Sequence, residues 1–329
     1  MNLGSTDCCS RRGFLKSSVS CAGYLLALAS LGPATFRSAF ASSERERMFV
    51  QDWGWIEKLA EGVWSHISTP FEQSDYTTVC NGGIIAGSRR VLAVESFQRP
   101  RGAAWLAECA KKLTGRWPTD FVVTHFHGDH VSGSSGYLES GQKPTMWLTK
   151  TTRDLIAEGE DRREVKSLTS EVSLLADEVT DLDLGGRVVK LSATRGHTDS
   201  DVAIEVVDPN VVFAGDLVWN RLVPNYRDAD PVALKQAVAS LARESDTIYV
   251  PGHGVTASLK EFRLYQEFLD TMEDAARRAH GRGDSWEAAA KAYRLSGKFE
   301  DWFVFADSVM PAIFRAWYSA LDGDTQPGG

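Results

Sequence analysis

The chain has 329 residues, 43% of them hydrophobic and 24% charged, with 28 Gly, 11 Pro and a formal net charge of −8. These figures exclude a disordered, collagen-like or coiled-coil protein and fit a globular core of one large domain or two smaller ones. Five Cys are too few for a disulfide scaffold.

Residues 1–41 read as a leader outside the fold. Ser10-Arg11-Arg12-Gly13-Phe14-Leu15-Lys16 precedes a weakly apolar stretch over 17–31, and Ala39-Phe40-Ala41 offers a cleavage site before Ser42. Paired arginines followed by Phe and Leu resemble a twin-arginine signal, an address read by a receptor. That resemblance implies passage through the twin-arginine translocase to the periplasm. The apolar stretch is shorter than the ~20 residues of a membrane span, so no stable membrane anchor is expected. The leader carries four cations (Arg11, Arg12, Lys16, Arg37) and one anion (Asp7), so its removal shifts the net charge from −8 to −11. A chain this acidic, with no basic run, is poorly suited to phosphate backbones, and no nucleic acid partner is expected. Cys8, Cys9 and Cys21 go with the leader. Cys80 and Cys109 remain, either paired in an oxidising compartment or as two buried thiols.

In chain order, residues 53–67 form a hairpin turning at Glu61-Gly62. A polar loop over 68–75 carries Phe71, with Tyr76 just after it. Strands follow over 78–86 and 91–94, a helix over 101–113 from its apolar spacing, and a buried strand over 121–124. Gly185-Gly186 joins a second hairpin, 182–184 with 188–191. Strands at 202–207 and 211–214 flank a turn at Asp208-Pro209-Asn210. A helix over 231–242 opens with Asp230 as N-cap and Pro231 in its first position. After a short strand at 247–250 the pattern is helical: 259–280, 286–295 and 301–321. The layout is two strand-rich halves with helices outside, divided as a leader (1–41), a main domain (42–257) and a C-terminal helical extension packed on it (258–329).

Five of the seven His lie in three short loops, each after a buried strand: Thr124-His125-Phe126-His127-Gly128-Asp129-His130, Gly196-His197-Thr198 and Pro251-Gly252-His253-Gly254. Gly215-Asp216 occupies an equivalent place after Val211-Val212-Phe213. Imidazole and carboxylate at strand ends suit a borderline cation such as zinc. In an extended segment His125 and His127 point the same way, and Gly128 permits a bend that turns Asp129 and His130 toward a second ion.

These residues, in this order, resemble the metallo-β-lactamase fold superfamily over about residues 53–257. The resemblance implies an α+β fold, a four-layer αββα sandwich with metal ions in a cleft at the sheet edges. It implies one metal held by His125, His127 and His197, a second by Asp129, His130 and His253, and Asp216 bridging both. The cofactors are then two divalent ions, zinc foremost. Two such ions about 3.5–4 Å apart share a water, lower its pKa from 15.7 towards roughly 7 and aim the bridging hydroxide at an electrophile. Asp129 orients that hydroxide or accepts its proton.

The function expected is hydrolysis of a small ester, thioester, lactone or amide in the periplasm. Asp216 bears on the substrate. The β-lactamases of the superfamily usually carry a thiolate or a non-bridging residue there, whereas the thioesterase, lactonase and phosphodiesterase branches carry a carboxylate. Weak β-lactam turnover follows. The alternatives are a β-lactamase, a mononuclear iron persulfide dioxygenase, a small-molecule phosphodiesterase and a non-catalytic maturation factor. Phe71, Tyr76, Trp219 and Asn220 are candidates for the substrate pocket, with Arg221 and Tyr226 nearby. His66 and His280 read as ordinary surface histidines. Trp286, Trp302, Phe303, Phe305, Phe314 and Trp317 read as core residues at helical spacing.

Overall fold

A computed structural model describes residues 45–68, 76–158, 172–176 and 179–323. The leader and Phe71 lie outside the described residues. The first sheet takes eight strands in sequence order: β1 (Arg47–Gln51), β2 (Gly54–Ala60), β3 (Val63–Ser68), β4 (Gly82–Ala86), β5 (Val91–Val94), β6 (Asp120–Val122), β7 (Thr145–Leu148) and β8 (Val172–Leu174). It is an antiparallel meander as far as β5 and parallel from β5 to β8. The crossover from β5 to β6 is α1 (Pro100–Thr114). Short α2 (Gly128–Val131) follows β6, and α3 (Lys150–Glu158) follows β7.

The second sheet has the order β13-β12-β11-β10-β9, built from β9 (Val179–Asp183), β10 (Val188–Thr194), β11 (Asp201–Val206), β12 (Val211–Trp219) and β13 (Ile248–His253). Only the β12–β13 pairing in it is parallel. The crossover between those strands is α4 (Pro231–Ser240), and Asp230 caps it through the backbone N–H of Val232 and Ala233. The chain then runs through α5 (Leu259–Gly281), α6 (Trp286–Ala292) and α7 (Val309–Gly323). α5 opens with a reciprocal Ser258–Glu261 capping box.

Alternation along the strands sets the four layers, because successive side chains face opposite sides of a sheet. In β5, Leu92 and Val94 point inward to meet Leu191, Ile204 and Phe213 of the second sheet, while Val91 and Ala93 point outward onto α1. In β12, Val211 and Phe213 point inward, while Val212 and Ala214 pack under α4, α5 and α7. Three apolar layers result, one between the sheets and one beneath each helical face. The fold class is thus α+β, with a C-terminal helical region covering the second sheet.

Three sequence expectations are revised. The strand expected from residue 78 begins at Gly82, because Val79 takes a left-handed φ of 71° that no strand accommodates. The helix expected over 301–321 begins only at Val309. Phe303 instead forms a parallel bridge to Leu222, donating to Arg221 O at 3.0 Å and accepting from Val223 N–H at 2.9 Å, so its backbone is committed elsewhere. β1, β7 and β8 carry weak patterns that the sequence did not disclose. His66 is no surface residue: it is wholly buried, with Phe97 and Trp105 edge-on at 4.8 and 5.4 Å, and neither ring nitrogen has a hydrogen-bond partner. Cys80 and Cys109 are free, buried thiols, and Cys80 Sγ donates to Asp129 O at 3.0 Å. Among the described residues no helix is long and apolar enough to cross a membrane.

Candidate metal centre

The two sheets meet at a seam, and seven side chains converge there. The first sheet contributes the loop after β6, with His125, His127, Asp129 and His130. The second contributes His197 after β10, Asp216 from β12, and His253 at the end of β13. Asp216 sits inside its strand, not beyond it. β12 continues to Trp219 through a register break at Gly215, whose φ of +52° bends the strand and turns the carboxylate into the seam. Gly252 permits the closest approach. A Cβ there would lie 1.8 Å from Asp216 Oδ1.

The ligand atoms fall into two groups that could each hold an ion: His125, His127, His197 and Asp216, and Asp129, His130 and His253. His125 Nε2 and His197 Nε2 lie 2.9 and 3.1 Å from His127 Nδ1. Asp216 reaches both groups. Its Oδ1 is 3.2 Å from His130 Nε2, and its Oδ2 is 3.3 Å from His197 Nε2 and 3.5 Å from His253 Nε2. Asp129 Oδ2 stands 3.5 Å from His130 Nε2 and 3.4 Å from His253 Nε2. Metal–nitrogen bonds of 2.0–2.1 Å in tetrahedral geometry imply ligand separations of about 3.3 Å, so the constellation has the dimensions of an ion's coordination shell.

Two further observations fit a cation. His130 Nε2 and Asp216 Oδ1 are buried and face each other at 3.2 Å without a well-formed hydrogen bond between them, a place where a cation would satisfy the oxygen and, in place of the proton, the nitrogen. The charge states also suit ligation. Burial and neighbouring imidazoles hold His125 well below its ordinary value, and burial lowers His197 to about 4, so both are neutral donors. Against burial, His253, His130 and His197 keep Asp216 ionised, while His130 and His253 do the same for Asp129. Also against burial, Cys80, Asp216, Glu95 and Asp129 hold His130 well above its ordinary value. Positive charge is favoured at this point of the seam.

An outer ring of partners aims the donors, as is usual for metal-ligating histidines. His127 Nε2 meets Asp228 Oδ2 at 2.9 Å. His130 Nδ1 meets Glu95 Oε1 at 3.0 Å, and Thr124 Oγ1 donates to the same carboxylate oxygen at 2.5 Å. Glu95 and Phe97 take left-handed φ values of 75° and 63°, a strained turn beside the site. Asp201 accepts from Thr198 N–H at 3.0 Å and from Thr198 Oγ1 at 2.7 Å, fixing the His197 loop. Asn81 ties the halves together: its Nδ2 donates to Pro251 O at 2.9 Å and Gly254 O at 2.6 Å, while its Oδ1 accepts from Ser68 N–H at 2.9 Å. Sequence reasoning missed Glu95, Asp228, Asp201 and Asn81. Each is a single polar residue whose partner is distant in the chain or lies in an irregular loop, and no spacing announces it.

Of the pocket candidates, Tyr76 is half-buried and Trp219 and Asn220 are buried. The Asn220 amide donates to Val255 O at 3.0 Å, bracing the loop after His253. Trp219 lies against the His253 ring. The centre opens to solvent on the other side, where His127, Asp129 and Asp228 are 11%, 13% and 33% exposed.

The profile of the Metallo-beta-lactamase superfamily matches residues 96–253, the stretch that carries all seven side chains. A hydroxyacylglutathione hydrolase from Brucella anthropi is 28% identical over 186 residues, 56% of this chain and 65% of that one, so the chain spans a little under two thirds of that relative. A metallo-beta-lactamase type 2 from Bacillus cereus is 24% identical over 237 residues, 68% of this chain and 88% of that one. Among solved structures, a metallo-beta-lactamase from Pontibacter korlensis superposes with a TM-score of 0.55 at 20% identity, covering 66% of this chain and 99% of its own. The stereoselective inverting sec-alkylsulfatase Pisa1 from Pseudomonas sp. superposes with a TM-score of 0.63 at 13% identity, over 93% of this chain and 57% of its own. These likenesses support the fold.

Proposed function

With a Metallo-beta-lactamase superfamily domain as the premise, we propose that the chain is a metal-dependent hydrolase of a small ester, thioester, lactone or amide, and that it works in the periplasm after export by the twin-arginine route. The observation that carries this reading is the Asp216 carboxylate, which reaches imidazoles of both groups, Oδ1 lying against His130 and Oδ2 lying against both His197 and His253. In this reading His125, His127 and His197 would hold one ion and Asp129, His130 and His253 another, with Asp216 available to both. Two divalent cations, zinc foremost, supply Lewis acidity toward the substrate carbonyl and acidify the attacking water.

The chain's own residues do the rest. Asp129, more open to the cleft than Asp216, orients the attacking water and accepts its proton. Asp228 and Glu95 fix the rings of His127 and His130, so the donors need not reorganise as charge develops. Asp216 places a negative charge between the groups, which disfavours expulsion of a β-lactam nitrogen and favours the ester-like substrates.

The test is metal analysis of the purified chain from residue 42 onward, with a panel of aryl ester, lactone, thioester, carbapenem and cephalosporin. Two metal equivalents, ester-like turnover that chelation abolishes, and loss of the second equivalent and of turnover in Asp216→Ala are expected. Efficient carbapenem hydrolysis would overturn the substrate assignment, and iron with oxygen consumption on a persulfide would overturn the reaction class. Export is tested by Arg11→Lys with Arg12→Lys in the full chain, which should retain the protein in the cytoplasm. Unchanged export would refute that route.

A further inference from the structure

The C-terminal region reaches the centre through one stack of rings. Trp219 lies over the His253 imidazole with ring centroids 4.2 Å apart and planes 33° apart, and its Nε1–H donates to the backbone carbonyl of Asp216 at 3.1 Å. Phe305 stacks on Trp219 in turn, 5.6 Å away at 19°. Phe305 belongs to the extended segment between α6 and α7, where the sequence suggested a helix.

That segment is anchored at both ends. On the side of β12, Phe303 pairs through its backbone with Arg221 and Val223, and Arg221 Nη1 meets Asp301 Oδ2 at 3.3 Å. Arg221 holds a left-handed φ of 59°, which turns the chain to receive the segment just beyond the strand that carries Asp216. On the side of α5, Trp302 stacks on Phe268, 4.7 Å away at 24°. The helices that cover the second sheet therefore press on the ring bearing one candidate ligand and on the backbone of another. Trp219 meets the His197 ring only at 6.4 Å and 47°, and the ring contacts of His125 and His127 among the described residues are with the rings of the seam and Phe126.

We propose that Trp219 and Phe305 are positioning residues for His253, through which the C-terminal segment over 301–306 sets the affinity of the Asp129–His130–His253 group for its ion. This rests on the reading of those three residues as ligands. A ring held on one face by a packed indole has few orientations, and its Nε2 stays aimed at the seam. Without the outer ring, the indole and then the imidazole gain freedom that ion binding must remove.

The experiment uses the mature-length chain, metal-depleted and titrated with zinc against a chromophoric chelator, with thermal unfolding followed in parallel. In Phe305→Ala and in Phe305→Leu, which retains apolar volume without a ring, one equivalent should lose affinity of the order of tenfold or more while the other changes much less. Phe305→Tyr, which keeps the ring, should restore it. Both equivalents weakening in step with lost thermal stability, or neither moving, would overturn the proposal. If the unsubstituted chain binds a single equivalent, the ligand reading itself fails, and this inference falls with it.

Discussion

His66 offers a measurement that isolates one buried ring. It lies in β3 between Ile56 of β2 and Gly82 of β4, with no hydrogen-bond partner on either nitrogen, and burial pulls it from its ordinary 6.5 to about 3. Because the folded value is lowered, the neutral ring is compatible with folding above pH 6.5, and stability is lost as pH falls from 6.5 toward 3. Each pH unit inside that window costs about 1.4 kcal/mol, so moving from pH 7.5 to 5.0 costs about 2 kcal/mol through this residue alone. His66→Phe removes both the titration and the unsatisfied nitrogens while keeping an aromatic ring against Phe97 and Trp105. Urea unfolding of metal-depleted parent and variant at several pH values gives the difference, in which the other titrating groups cancel. The variant should gain about 2 kcal/mol on the parent between pH 7.5 and 5.0, whatever its packing cost at neutral pH. A difference that stays flat across that range would refute the assignment of a buried, neutral His66.

Asp201 titrates in the opposite sense. Burial pushes its carboxyl up to about 7, against the hydrogen bonds from Thr198, so the stability it lends is present below 3.8 and lost as pH rises to about 7. Asp201→Asn should therefore gain on the parent by up to about 4 kcal/mol between pH 4 and pH 7.5, read by the same urea series; a gain on acidification instead would contradict it. Asp228→Ala, which leaves His127 Nε2 without its partner, should weaken one metal equivalent by about 10–100-fold in the chelator titration. Asp228→Asn, which keeps an acceptor oxygen, should lose less, and equal losses would argue against a hydrogen bond. Gly252→Ala forces a methyl toward Asp216 Oδ1 and the Gly215 backbone. It should cost about 1–3 kcal/mol of stability together with bound metal, measured by thermal unfolding and metal content.

What the sequence disclosed of the site follows from how local the signal is. His125, His127, Asp129 and His130 share one loop, and Gly196, Gly215 and Gly252 each stand directly before a donor, so short-range pattern was enough to find all seven side chains. Their partners could not be found that way. Glu95 stands 35 residues from His130, and Asp228 stands 101 residues from His127. A lone acid carries no periodicity that points across such distances. The layers were readable where strands are buried on both faces, as in β5 and β12. They were unreadable in β8, a three-residue strand with no buried residue. The run from Trp302 to Phe305 has the apolar density of a helix face, yet the backbone of Phe303 is bonded to Arg221 and Val223 and that of Trp302 to Phe299, so no helix forms there.

The Asn81 stitch has a kinetic consequence. Its side chain and its N–H bind carbonyls of Pro251, Gly252 and Gly254 across the seam, so polypeptide alone clasps the two sheets where the donors meet. A zinc finger folds around its ion, and much of the ion's affinity is diverted into ordering the chain. If that clasp holds without an ion, an arriving cation would have only to shed water and settle among donors already in place. Loading is then a bimolecular encounter whose rate rises linearly with free metal and shows no slow folding phase. Stripping by a chelator should then leave a folded protein that can be refilled, even with a different cation.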